Sequence, residues 1–126
     1  TIIPPMQIRN TTTNNRIVNE IKGTNEVFLN VQTARGLGIA EGDTVKVRSR
    51  VGEIRLPARL TEAIRPDCVL VPHGFGHESR LMTQAYGKGA KDALLVPGQS
   101  MDDILARKDV GGSACIMDAV VSVAKV

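Results

Sequence analysis

With 126 residues, 42% of them hydrophobic, the chain is long enough to bury one core of its own. One Tyr, two Phe and no Trp leave that core to Val, Ile, Leu, Ala and Met. No apolar run reaches membrane-spanning length, the first residues lack the build of a secretory leader, and a net charge of +3 with so few aromatic platforms argues against a protein that coats nucleic acid.

The first twenty-odd residues read as irregular: Pro4-Pro5, then Arg9-Asn10-Thr11-Thr12-Thr13-Asn14-Asn15-Arg16. Short hydroxyl and amide side chains bind neighbouring backbone and resist regular structure. The tract suits either a frayed terminus or a loop of donors aimed at a ligand. Glu26 to Asn30 then forms a predicted strand, and Asn30 caps a helix over Val31 to Leu37 that Gly38 stops. A turn over Ile39 to Asp43 follows, with Gly42 at the position that favours positive φ.

Strict alternation predicts a hairpin next. Val45 and Val47 alternate with Lys46 and Arg48, and Ile54, Leu56, Ala58 and Leu60 with Arg55, Pro57 and Arg59. A two-residue loop at Val51-Gly52 sets Val47 opposite Leu56 and Arg48 opposite Arg55. Pro57 marks its strand as an edge or a bulge. The row Lys46, Arg48, Arg50, Arg55 and Arg59 reads as a solvated outer face, with an anion or partner site as the alternative.

After a turn at Ile64 to Asp67, Cys68 to Pro72 is a short apolar strand of the kind buried on both sides. Beyond the loop His73-Gly74-Phe75-Gly76-His77, a short helix is expected over Glu78 to Tyr86, a loop over Gly87 to Asp92, and a strand over Leu94 to Val96. Residues 98–113 read as loop with one helical turn around Met101 to Arg107, and Ala119 to Val126 as the closing strand. Many short strands with one or two helices predict a small, mainly β barrel with helical crossovers.

The chemistry concentrates in loops. Two glycines within His73 to His77 let backbone N–H groups approach a ligand, and the histidines offer imidazole donors or close the loop structurally. Metal binding by the pair lacks a third protein ligand nearby. Gly87-Lys88-Gly89 and Gly111-Gly112-Ser113 add donor-rich stretches, though neither matches a phosphate-binding loop or a nicotinamide dinucleotide fingerprint. Together with the Thr/Asn tract they suggest backbone-dominated recognition of something polar and extended, such as a dinucleotide. No nucleophile–base–acid set stands out. Cys68 and Cys115 read as small buried hydrophobes, with one disulfide as the alternative.

The order of these pieces carries a resemblance. The run from Asn30 to Val47, with its Leu37-Gly38-Ile39 helix end and Gly42-Asp43 turn, resembles the signature of the molybdopterin-dinucleotide-binding domain. The match continues from Val51-Gly52 through Arg65-Pro66-Asp67. Pro72 to His77 and Ala85 to Ala90 are similar to the thiosulfate and polysulfide reductase branch. Asp109 to Ser113 and the last strand resemble the family's end motif. The resemblance implies an aspartate-decarboxylase-like double-psi β-barrel, the single domain spanning 1–126, as a fragment of a longer chain that Thr1 opens without an initiator Met.

It further implies a C-terminal domain of a molybdenum or tungsten oxidoreductase of anaerobic respiration that binds molybdopterin guanine dinucleotide. The metal is then held by other domains of the catalytic subunit, and the isolated domain is not catalytic. Implied cofactor contacts are Thr12, Thr13, Asn14, Asn15, His73, Gly74, Phe75, Gly76, His77 and Lys88. Implied partners are the remaining parent domains, an iron–sulfur electron-transfer subunit and a membrane anchor at the periplasmic face, with no nucleic acid.

Four positions depart from the family pattern. Gln7 and Arg9 stand where histidines are common, Ala93 follows Asp92 where an Asn is common, and Met117 replaces an Asn near the last strand. Alternative readings are a stand-alone small subunit like that of formylmethanofuran dehydrogenase, a barrel-type DNA-binding or interaction module using the basic hairpin, and a self-processing decarboxylase resting on Gly112-Ser113.

Overall fold

A computed structural model describes residues 12–96 and 119–126. The expectations for Gln7, Arg9, the turn at 101–107, Gly111 to Ser113, Cys115 and Met117 fall outside the described residues. In chain order the elements are α1 (Arg16–Ile21), β1 (Val27–Asn30), α2 (Val31–Gly36), β2 (Thr44–Arg48), β3 (Glu53–Thr61), β4 (Val69–Leu70), a 3-10 turn η1 (Asp92–Leu95) and β5 (Ser122–Lys125). No helix among the described residues is long and apolar enough to cross a membrane.

The strands form one mixed sheet in the order β4-β1-β3-β2-β5. Its centre is the predicted hairpin. Val45, Val47, Ile54, Leu56 and Ala58 are buried, as alternation requires when one face of a sheet meets the core. Val27 and Leu29 of β1 join them, and Ala34 of α2, Ile39 and Leu95 of η1 complete the buried cluster. Fully burying a Val or Leu side chain contributes about 1.5–3 kcal/mol, so the strands are held mainly by this shared face. Asn30 caps α2 as expected, its Oδ1 accepting the Gln32 N–H at 2.8 Å, and Gly38 ends the turn at φ +64°.

The hairpin register differs from the expected one by two residues. Val47 pairs with Ile54 and Arg48 with Glu53, so the connection is Ser49 to Gly52 and not Val51-Gly52 alone. Ser49 explains the longer turn: its N–H donates to Gly52 O at 2.9 Å, and its hydroxyl accepts from the Val51 and Gly52 N–H groups. A slip of two keeps every side chain on its face while exchanging an Arg–Arg pair for Arg48 opposite Glu53. The slip in turn sets Lys46 opposite Arg55. The outer basic row is solvent-facing, with Lys46 half-buried and Arg48, Arg50, Arg55 and Arg59 exposed.

Pro57 lies in neither an edge strand nor a bulge. β3 runs through the middle of the sheet, pairing antiparallel with β2 over Glu53 to Pro57 and parallel with β1 over Ala58 to Thr61. The proline falls where the strand changes partner, so its missing N–H costs no continuous ladder. The next N–H, that of Ala58, donates to Asp43 O at 2.8 Å.

Four other expectations are corrected. The N-terminal tract is not irregular to its end, because Asn15 caps α1 by accepting the Ile17 and Val18 N–H groups. The Cys68 to Pro72 segment is a two-residue, half-buried strand at the sheet edge, and Cys68 is exposed with a free thiol, since only one neighbour strand is available to cover it. Glu78 to Tyr86 forms successive turns (Met82 N to Ser79 O, Ala85 N and Tyr86 N to Met82 O) and no helix. Leu94 to Val96 belongs to η1 and its exit, tightened by the Leu94 N–H donating to Lys91 O and that of Val96 to Ala93 O.

Candidate functional site

β4 delivers the chain to Pro72, and from there two loops fold onto each other. The Gly76 N–H donates to Lys88 O at 3.0 Å and the Gly87 N–H to His77 O at 2.9 Å, a local parallel bridge between His77 and Tyr86. Gly76 sits at φ +76°, and a Cβ there would collide with the Lys91 backbone, so contact this close requires glycine. Between the loops lies a pocket of about 290 Å³, lined by residues 73–79 on one side and Lys91, Asp92 and Ala93 on the other.

Both histidines line it, with different partners. His73 Nδ1 lies 2.9 Å from each Asp92 carboxylate oxygen, spanning the two walls. His77 Nε2 lies 2.9 Å from Thr13 Oγ1 and 3.0 Å from Gly74 O. Among the described residues no group of three or more His, Cys, Asp or Glu comes together. Phe75 is buried in the loop, and Lys91, Glu78 and Ser79 add exposed polar groups to the lining. Two carboxyls are held below their ordinary range, Asp43 by its bond to Lys125 and Asp67 by its bond to Arg65, and neither lines the pocket.

The structure brings most of the expected contact residues to one place. Thr13 is buried against His77, and Asn14 Oδ1 accepts the Gln84 and Ala85 N–H groups at 2.9 and 3.3 Å. Thr12 O accepts the Asn15 N–H at 3.0 Å, closing the turn before α1. Lys88 donates through Nζ to Asn19 Oδ1 at 2.6 Å. Asn15 is turned aside, spending its side-chain carbonyl on the cap of α1.

Two residues that bind the site together, Asn19 and Asn25, are not apparent from the sequence, and Asp92, noted there beside Ala93, is a third. Asn19 donates to Thr13 O and Gln84 O, both at 3.1 Å, and so ties the Thr/Asn tract to the second loop. Asn25, fully buried, donates to Pro72 O at 3.0 Å and Ala90 O at 2.9 Å and accepts the Ala90 N–H at 2.9 Å. Asp92 anchors His73. Asn25 lies in the polar run Thr24-Asn25-Glu26 ahead of the apolar β1, which composition reads as an ordinary turn.

A small mixed-sheet domain whose polar loops enclose a pocket is built to hold a ligand. The chain belongs to the molydopterin (molybdopterin) dinucleotide binding domain family, which it matches over residues 3–107. Its cofactor is molybdopterin guanine dinucleotide. It is similar to the molybdopterin-containing subunit ArrA of the arsenate respiratory reductase of Chrysiogenes arsenatis, 38% identical over 79 residues, covering 61% of this chain and 9% of the relative. It is also similar to the molybdopterin-containing subunit PhsA of the thiosulfate reductase of Salmonella typhimurium, 32% identical over 81 residues, covering 64% of this chain and 11% of the relative. Acetylene hydratase from Pelobacter acetylenicus shares the fold, with a TM-score of 0.66 at 17% identity over 89% of this chain and 16% of that one. The chain thus spans about a tenth of the length of the curated relatives it matches.

Proposed function

We propose that this chain is the C-terminal cofactor-binding domain of the catalytic subunit of a molybdenum or tungsten oxidoreductase, and that the parent enzyme reduces thiosulfate or polysulfide. The observation that carries the reading is the pocket between residues 73–79 and 91–93, joined to the Thr/Asn tract through Thr13 and His77. Its lining mixes imidazoles, a hydroxyl, an ammonium and carboxylates, so the carboxylates suit the amino and ring N–H groups of a pterin or guanine and the Lys91 ammonium suits an anionic oxygen. The volume lies near the lower end of the roughly 300–1,000 Å³ usual for drug-sized ligands, room for one portion of a dinucleotide. The rest of the cofactor then lies against other domains of the parent chain.

In this reading Thr12, Thr13, Asn14, Lys88 and residues 73–77 form the contact surface, Asn15 acts through its cap of α1, and Lys91 offers a donor to the cofactor's oxygens. When bound, the pterin-held metal supplies the oxidation–reduction chemistry, and the domain supplies grip and orientation. Sulfur-compound reduction is supported by the likeness of Pro72 to His77 and Ala85 to Ala90 to that branch, and by the thiosulfate reductase relative. The double-psi barrel is supported by the mixed sheet with its parallel β1–β3 pair. An iron–sulfur electron-transfer subunit and a membrane anchor at the periplasmic face complete the proposed assembly.

The test uses the full-length protein that carries this domain. Acid release of guanine nucleotide and metal analysis are expected to show both per polypeptide, and replacing His73 and His77, or Asn14 and Asn15, by Ala is expected to lower both. Unchanged content in those variants removes the proposed contacts. Turnover of arsenate with none of thiosulfate or polysulfide would overturn the substrate assignment and leave the domain's role intact.

A further inference from the structure

We infer that Asn25 is the positioning residue that sets the separation of the two pocket walls, an inference that rests on the cofactor reading for its functional meaning. One wall begins at His73 and the other at Lys91. Asn25 grips the residue before each. Its Nδ2 donates to Pro72 O and to Ala90 O, and its Oδ1 accepts the Ala90 N–H, with all three contacts at 2.9–3.0 Å. The side chain is fully buried, so no water substitutes for these partners. It stands two residues ahead of β1, whose Val27 and Leu29 are core residues, and it therefore references both walls to the sheet.

The opposite side of the contact is cut to match. Gly89 has φ +70°, and a Cβ at that position would collide with Asn25 Oδ1 and lie 3.0 Å from Phe75 Cβ. The glycine thus keeps the second loop close enough for Ala90 to reach the amide. Asn supplies both a donor and an acceptor in one planar group. An Asp in its place keeps the acceptor for Ala90 N–H but sets an oxygen with no hydrogen against two carbonyls.

The experiment compares Asn25→Asp, Gly89→Ala and Val47→Ala in the full-length protein, the last as a core change remote from the loops. Amide hydrogen exchange is followed at Gly76, Gly87 and Ala90 and along the β2–β3 ladder, and the dissociation rate of the guanine dinucleotide is measured beside it. Loss of a buried hydrogen bond that strands its partners corresponds to about tenfold or more. Asn25→Asp and Gly89→Ala are expected to speed loop exchange and cofactor dissociation by that factor while ladder exchange moves less, and Val47→Ala to speed ladder exchange without that loop-specific rise. Loop and ladder amides rising together in Asn25→Asp would make Asn25 an ordinary core residue and overturn the inference. So would unchanged loop exchange in both loop variants. If Asn25→Asp does not fold, Gly89→Ala decides by the same comparison. A wild-type protein without guanine nucleotide sinks the cofactor reading, while the exchange ratios still decide whether Asn25 holds the walls.

Discussion

The hydroxyl of Thr13 and the Nε2 atom of His77 lie 2.9 Å apart although 64 positions separate them in the chain. Gly74 O, which can only accept, lies 3.0 Å from the same nitrogen. A nitrogen facing a carbonyl at that distance carries the proton, so Nε2–H donates to Gly74 O with the Thr13 oxygen as its second acceptor. Thr13→Val keeps the side chain's shape and removes the oxygen. Its expected cost is about 1 kcal/mol, because Gly74 O still satisfies His77. Chemical denaturation measures it, and a loss below the error of the method would show that the contact across the two segments contributes nothing.

Gly52 makes the second prediction. A Cβ there would collide with the carbonyl oxygen of Leu94, so the hairpin turn and η1 touch backbone to backbone. η1 carries Leu95 into the core and Asp92 to His73. Gly52→Ala must therefore push η1 outward and disturb both. An expected destabilisation of about 1–3 kcal/mol follows from overpacking. It should be accompanied by a change in the His73 ring resonances in a histidine-detected NMR spectrum. Full stability with unmoved His73 signals would contradict the backbone contact.

The sheet was largely legible because its cause is local. Alternation at Val45 to Arg48 and Ile54 to Leu60 specifies which side chains face inward whatever the register, and Asn30 announces the start of α2 by its own chemistry. Register was not legible from pattern alone: a slip of two leaves the inward set unchanged, and Ser49, whose hydroxyl builds the longer turn, carries no apolar signal. Pro57 misled because the rule about edge strands assumes one partner along a strand, and β3 has two in succession. The loops at His73 and Gly87 were recognisable by their glycines. What joins them was not, since Asn19 and Asn25 act through partners 47 to 69 residues away, a separation that no local spacing encodes.

The closing strand carries the third prediction. The Asp43 carboxylate accepts from Lys125 Nζ at 2.6 Å and from the Ala40 N–H at 2.8 Å, and these bonds, Lys125 first, hold its pKa below the ordinary 3.8. A lowered folded pKa means that the contribution is complete above the unfolded value and is lost as pH falls through the folded one. Stability is expected to hold near neutrality and to decline below about pH 4. Asp43→Asn should lie lower than the parent at pH 7 and depend less steeply on acid, the two curves drawing together toward about pH 2. Denaturation midpoints recorded across that range test it, and parallel curves would remove Asp43 as a source of the acid dependence. High salt should narrow the gap, because the pair is partly exposed.

The bridge between the pocket walls can be divided into its bond and its charge. His73 is 59% exposed and Asp92 23% exposed along their side chains, so solvent weakens their attraction, and the geometry carries more of the effect than the Coulomb term. An ionised carboxylate only accepts, so Nδ1 of His73 carries the hydrogen that bridges the two walls. Asp92→Asn preserves an acceptor of nearly the same shape, whereas Asp92→Ala removes it. Guanine nucleotide content of the full-length protein is therefore expected to stay within about twofold for Asp92→Asn and to fall by about fivefold or more for Asp92→Ala, the loss of one positioning hydrogen bond at the pocket mouth. Equal losses in both variants would mean that the negative charge, and not the orientation of His73, is what the site requires. Equal retention would mean that His73 is held by the loop's own turn at Gly74 and Gly76, with Asp92 contributing only to the end of η1.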